Sequence, residues 1–254
     1  MWAYYCPPGL IKDRAARTPD EVKDIMALAE KRFRENIKTE LSREKACKDA
    51  DLVIETMKED PEAKAEVYES IRDLLPERTV IITNTSSLLP SMFADLTGRP
   101  EKYCAVHFSN LIWYCNSAEI MGHPGTDPAV IEDLVQFADE INMVPLVLRK
   151  EQPGYLLNSL LFPFLGAAQK LWANDVADPE TIDRAWEIGM GEGTGPFKIL
   201  DNVGLDTVYA LNELVPDSKV PGTVWYKLGQ LFKEKIDKGE TGKAAGRGFY
   251  DYTK

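Results

Sequence analysis

The 254-residue chain lacks the features that mark several protein classes. It holds two histidines and four cysteines, Cys6, Cys47, Cys104 and Cys115, with no C-x-x-C pair. That spacing fits a reducing, cytoplasmic setting better than a disulfide frame or a zinc site. Basic charge is scarce, because 30 Lys and Arg stand against 41 Asp and Glu for a formal charge of −11. Phosphate-backbone binding needs a basic field, so nucleic acid is not expected as a partner. Long apolar runs are missing too. The longest, Leu160–Ala168, contains Pro163 and Gly166 and is far too short to cross a bilayer. No basic start followed by an apolar stretch opens the chain, so neither a signal peptide nor a membrane partner is expected. The first 97 residues contain one glycine, Gly9, which leaves no G-x-G-x-x-G turn ahead of the first apolar strand.

What remains is ordinary globular material. Apolar residues make up 44% and charged residues 28%, and at about 150 residues per domain the length allows one large domain or two ordinary ones. Helix starts are legible. Thr18-Pro19-Asp20-Glu21 pairs a capping threonine with a proline in the first turn, predicting a helix to about Asn36. Asp60-Pro61, Asp127-Pro128 and Asp178-Pro179 repeat the signal.

Between these starts lie β-branched, nearly continuous apolar runs of strand length: Asp51–Glu55, Thr79–Thr83, Tyr103–Phe108, Ala118–Met121 and Val144–Leu148. Such runs suit strands covered on both faces, and their alternation with helices predicts a mostly parallel α/β sheet. After Gln152-Pro153-Gly154 the strands stop. Helices are expected at Tyr155–Asn174, Pro179–Met190, Pro196–Leu214 and Thr223–Lys238, so the expected division is an α/β domain over 1–150 and an all-helical domain over 151–254.

Few residues could carry chemistry. His107 closes the strand YCAVHF, and ligands of α/β sheets bind beyond the carboxyl ends of strands. Glu119 stands on the next strand, where a neighbouring carboxylate could orient the imidazole as a general base. On spacing alone, a strand-end histidine making an ordinary hydrogen bond is the favoured reading. Ser86, within Asn84-Thr85-Ser86-Ser87 after TVIIT, is placed either to meet a ligand or to cap a helix over Leu89–Leu96. Glu55, Glu59 and Lys64 read as a charged turn, and His123 as a loop residue. The cluster Gly189, Gly191, Gly193 and Gly195 follows a helix, so it reads as a helix end rather than a phosphate loop.

Taken in order, DADLVIE, ITNTSSL, VHFSN, GHPGTDP, PGYLLNSLL, GTGPF and GRGFYDY resemble the L-3-hydroxyacyl-CoA dehydrogenases, over about residues 48–252. VHFSN and NSAEIMG are most similar to a diketoreductase-like branch. The resemblance implies an NAD-binding Rossmann-type domain followed by a helical domain that forms a homodimer. It implies reversible oxidation of a 3-hydroxyacyl thioester, a small-molecule substrate. It assigns His107 as base, Glu119 as its partner, Ser86 to substrate and cofactor, and Asn158 to the active site. Glu59, Lys64 and Asn110 match positions that line the NAD site.

The chain departs from the family in three places. The opening strand, glycine-rich turn, helix and strand have no counterpart, so an N-terminally truncated Rossmann-type sheet with an exposed apolar edge is expected. HFSNL replaces HFFNP, and the tail reads GKAAGRGFYDY with Lys243 one place early, which leaves room for smaller 3-oxo acids or esters. Beside the enzyme stand two other readings: a non-catalytic dimeric module that has lost NAD binding, and a fragment.

Overall fold

The computed structural model describes residue 27 and residues 30–109, 112, 115–191 and 193–253. Of the helix expected from Thr18, residues 30–36 are helical and most of the remainder lies outside the described residues. The described chain forms two compact units, one ending at Asn158 and the other running on from Ser159.

The first unit contains α1 (Arg43–Cys47), β1 (Leu52–Glu55), α2 (Pro61–Ile71), β2 (Val80–Thr83), β3 (Tyr103–Phe108), β4 (Ser117–Met121), α3 (Pro128–Glu140) and β5 (Val144–Leu148). The strands lie side by side in the order β1-β2-β3-β4-β5. β1, β2 and β3 are parallel, β4 runs antiparallel to β3, and β5 is parallel to β4. β1 is the outermost strand on its side among the described residues, and Ile54 on it is exposed.

Alternation along the strands sorts the core. Ile82, Cys104, Val106, Ala118 and Ile120 pack under α3 through Val130, Leu134 and Ala138. Ile81 and Tyr103 face the other way, onto Tyr68 and Ile71 of α2 and onto Phe93. Each fully buried aliphatic or aromatic side chain contributes about 1.5–3 kcal/mol. The Asp-Pro starts act as caps: Asp60 accepts from the Glu62 and Ala63 N–H groups, and Asp127 from that of Ala129. Over Leu89–Leu96 the single expected helix is replaced by two short 3₁₀ turns, Pro90–Met92 and Ala94–Thr97. The break falls at Phe93, whose φ and ψ of −124° and −9° leave the helical region.

The second unit is all helical apart from 3₁₀ turns and isolated bridges. It takes most of α4 (Tyr155–Ala173), then α5 (Pro179–Met190), α6 (Pro196–Val203), α7 (Leu205–Glu213) and α8 (Val224–Asp237). The one long helix expected over Pro196–Leu214 breaks at Gly204, whose φ of 93° leaves the helical region while the Leu205 N–H turns to the Thr241 carbonyl. Leu165, Phe197, Leu200, Leu205, Leu228 and Phe232 form the core. Phe249 enters it edge-on to Trp172 and Phe197, with ring centroids 5.1 and 4.7 Å away.

Two buried aspartates organise the glycine-bearing motifs. Asp183 accepts from the Phe197 and Lys198 N–H groups and from the Tyr250 hydroxyl. Asp201 accepts from the Phe249 and Tyr250 N–H groups and the Tyr252 hydroxyl. A Cβ at Gly195 would overlap the Asp183 carboxylate, and one at Gly248 the Asp201 carboxylate. GTGPF and GRGFYDY are therefore clamps on buried carboxylates. Burial pushes both carboxyl groups above the ordinary range despite these donors.

Candidate active site

Parallel strands β1 to β3 end together at their carboxyl edge, where chain reversals leave room for polar groups. β3 reaches that edge at His107. Because β4 returns antiparallel, its register sets Glu119 directly opposite His107. Glu119 Oε2 lies 2.9 Å from His107 Nδ1. Its other oxygen, Oε1, accepts from the Leu156 and Leu157 N–H groups at 2.8 and 2.9 Å. These are free donors of the first turn of α4, where the helix dipole also favours an anion. Burial opposes the Glu119 charge, yet hydrogen bonds from His107, Leu157 and Leu156 outweigh it and hold the carboxyl below its usual range.

An ionised Glu119 can only accept, so Nδ1 carries the proton and Nε2 presents a lone pair. Ser86 Oγ stands 3.2 Å from that Nε2. The tautomer follows from this network. Tyr155, the first residue of α4, lays its ring on the imidazole with centroids 4.8 Å apart and planes 26° off parallel.

Glu59 holds the loop that presents Ser86. Its Oε1 accepts from the Ser86 and Ser87 N–H groups at 3.1 and 2.9 Å and from the Ser87 and Thr85 hydroxyls. Burial works against this charge as well, but the Thr85 and Ser87 donors and the Lys64 ammonium hold the carboxyl low. Asn84 Oδ1 accepts from the Phe108 N–H and ties the same loop to the end of β3.

Lys64, expected from the resemblance to line the cofactor site, is buried against Glu55. Its side chain is 0% exposed, and Nζ lies 2.9 Å from both oxygens of Glu55. The Tyr68 and Thr83 hydroxyls complete that carboxylate, each at 2.7 Å. An ammonium so enclosed serves the β1–α2 junction, and no atom of it reaches the surface. Asn158 stands half-buried one turn into α4, its side chain without a hydrogen-bond partner among the described residues. Asn110 lies outside the described residues. His123 is a loop fastener, with Nε2 on the Pro100 carbonyl and Nδ1 accepting from the Gly125 N–H.

Two features at the site were not read from the sequence: the Leu156 and Leu157 amides and the stacked ring of Tyr155. Both belong to PGYLLNS, where Pro-Gly before an apolar run marks a helix start. No group of His, Cys, Asp and Glu among the described residues could hold a metal ion.

A largely parallel sheet with a polar carboxyl edge, followed by an all-helical unit, is the architecture of a two-domain Rossmann-type dehydrogenase. Residues 12–152 match the 3-hydroxyacyl-CoA dehydrogenase NAD binding domain and residues 154–252 the 3-hydroxyacyl-CoA dehydrogenase C-terminal domain. The chain belongs to the 3-hydroxyacyl-CoA dehydrogenase family, whose cofactor is NAD. It is 32% identical over 207 residues to a 3-hydroxybutyryl-CoA dehydrogenase of Clostridioides difficile, covering 82% of this chain and 73% of the relative. A probable 3-hydroxybutyryl-CoA dehydrogenase of Bacillus subtilis is 29% identical over 240 residues, 94% of this chain and 79% of its own length. Among solved structures, a diketoreductase described as acting on dicarbonyl compounds superposes with a TM-score of 0.81 at 42% identity, covering 91% of this chain and 84% of that one.

Proposed function

We propose that this chain interconverts a 3-hydroxyacyl compound and its 3-oxo form, with His107 and Glu119 as the acid–base pair. The observation that carries the reading is the line Glu119–His107–Ser86. An ionised carboxylate grips Nδ1–H, and the opposite ring nitrogen is turned to a hydroxyl at the carboxyl edge of the sheet. In the oxidising direction Nε2 takes the proton of the 3-hydroxyl while the C3 hydrogen departs as hydride. Glu119 stabilises the imidazolium that results, and the Ser86 hydroxyl and Asn158 amide donate to the oxygen as its charge develops.

Bound NAD supplies the hydride acceptor or donor. The polar groups at the ends of β2 and β3 fit its reactive end, where Ser86 offers a hydroxyl and His107 a ring nitrogen. Glu59 contributes by holding the Ser86 loop in place. The alternative is a non-catalytic module of the same fold.

The names of the relatives support the substrate class. Two are named for 3-hydroxybutyryl-CoA, and the diketoreductase acts on dicarbonyl compounds. With HFSNL and the displaced Lys243, a small 3-oxo acid or ester fits this chain as well as a coenzyme A thioester. Exposed Leu160, Phe162, Ile188 and Met190 support a homodimer through the helical unit.

Calorimetric titration with NADH, followed by turnover of acetoacetyl-CoA and ethyl acetoacetate, tests the reading. Saturable micromolar binding and turnover that falls about 10²–10⁴-fold in His107→Gln are expected. A folded chain that binds no NADH would establish the non-catalytic alternative.

A further inference from the structure

Tyr155 begins α4 with a φ of 53°, in the left-handed region that a residue with a β-carbon enters only when its surroundings hold it there. Gly154 before it also has positive φ, and the Tyr155 N–H bonds the Gln152 carbonyl at 3.0 Å. The outcome of this costly turn is specific. The Tyr155 ring packs in the interior against Ala105, Met121 and Leu148 and lies nearly flat on the His107 imidazole. The next two amides bind Glu119. One helical turn thus grips both members of the pair, the carboxylate through N–H groups and the imidazole through a ring face.

These grips constrain different motions. The Nδ1–H bond to Glu119 fixes rotation of the imidazole in its own plane, and a stacked ring opposes tilting out of that plane. An aromatic face also attracts a cation, more strongly when the contact is dry. We propose that Tyr155 is a positioning residue that orients His107 and favours its protonated form through the stacked ring face. The inference rests on the reading of His107 as the base.

Among the described residues, four titratable groups act on Tyr155 beside the pair. Glu119 lies on β4, Glu59 beyond Ser86, and Cys104 and Tyr103 on β3. Burial pushes the Cys104 thiol up to about 12 and the Tyr103 and Tyr155 hydroxyls higher still, so all three are neutral near pH 7. Among the described residues, the charges beside Tyr155 are the carboxylates of Glu59 and Glu119.

With only two histidines in the chain, proton NMR resolves His107, its imidazole signal identified by its loss in His107→Gln. Tyr155→Leu should lower the His107 titration midpoint by about 0.5–1 pH unit. The acid limb of the kcat/KM profile in the oxidising direction should move down with it. Tyr155→Phe, which keeps the face and removes the hydroxyl, should restore both. Tyr155→Met, which keeps bulk without a ring, serves if the leucine variant does not fold, and should lower the midpoint in the same way. An unchanged midpoint in the folded ringless variant, or equal shifts in Phe and ringless variants, overturns the proposal. Undiminished turnover in His107→Gln is a different result: it overturns the assignment of the base, independently of the titration.

Discussion

Lys64→Met tests whether a lysine matched to the cofactor site holds the fold together instead. In the native chain the Lys64 and Glu55 side chains are 0% and 1% exposed, and the ammonium lies 2.9 Å from each carboxylate oxygen. Methionine fills most of the space but leaves Glu55 a buried charge with only the Tyr68 and Thr83 hydroxyls and the Met57 N–H. Breaking a buried pair from one side costs about 3–5 kcal/mol. In a chain of this size that lowers Tm by about 6–20 °C. The pH dependence should also change sign. Burial opposes the Glu55 charge, but the Lys64, Tyr68 and Thr83 donors prevail and hold the native carboxyl below its usual range. Glu55 therefore contributes stability that is present above its unfolded pKa and is lost as pH falls through the folded one. Without Lys64, burial dominates and the folded pKa rises above the unfolded value. The contribution is then largest below the unfolded pKa and is lost as pH rises through the folded one. Urea unfolding followed between pH 4 and 8, with NADH titration of the folded variant, reads both effects. A loss under about 1 kcal/mol with an unchanged pH slope and weakened NADH binding would refute the structural role and return Lys64 to the cofactor site.

Three other outcomes can be checked directly. Glu119→Gln should lower kcat more than it raises the NADH Kd, because the carboxylate touches His107 and the Leu156 and Leu157 amides; steady-state kinetics beside calorimetry decides, and the reverse pattern would move Glu119 out of the pair. Gly248→Ala should destabilise the helical unit by about 1–3 kcal/mol in thermal melts, because the new methyl meets the Asp201 carboxylate; an unchanged Tm would mean the clamp yields. Ile188, 77% exposed on α5, should lie in the proposed dimer interface, so Ile188→Glu should shift the molecular mass by light scattering from dimer to monomer. A wild-type monomer would remove the dimer altogether.

Much of this was readable from residue order because it rests on local chemistry. Asp60-Pro61 and Asp127-Pro128 cap helices where the side chain reaches amides two or three residues on, a relation set within one turn. TVIIT and YCAVHF became central strands because only burial on both faces suits such runs, and the change of pattern after Gly154 marked the passage from strands to helices. The resemblance carried by the ordered motifs reached the family because those motifs span both units. Other local signals were overruled. The run Pro196–Leu214 reads as one helix, yet Gly204 turns out of it because the Leu205 amide has a better partner in the Thr241 carbonyl, distant in sequence.

What needed the folded chain were relations between residues far apart in sequence. That Glu119 faces His107 depends on β4 running antiparallel at one register, and a slip of one residue would turn the carboxylate to the opposite face of the sheet. That Glu119 is ionised depends on amides of a helix 37 and 38 residues further on. Lys64 looked like a surface charge because nothing in PEAKAEVYES reveals that Glu55, Tyr68 and Thr83 enclose it. Residue order could set which segments are helix, strand or cap, since those choices are made over a few neighbouring residues. Which charges are buried, paired and turned toward one another was decided only when sheet register and helix entry brought distant side chains within 3 Å in a dry interior, where a hydrogen bond or an ion pair outweighs the cost of leaving water.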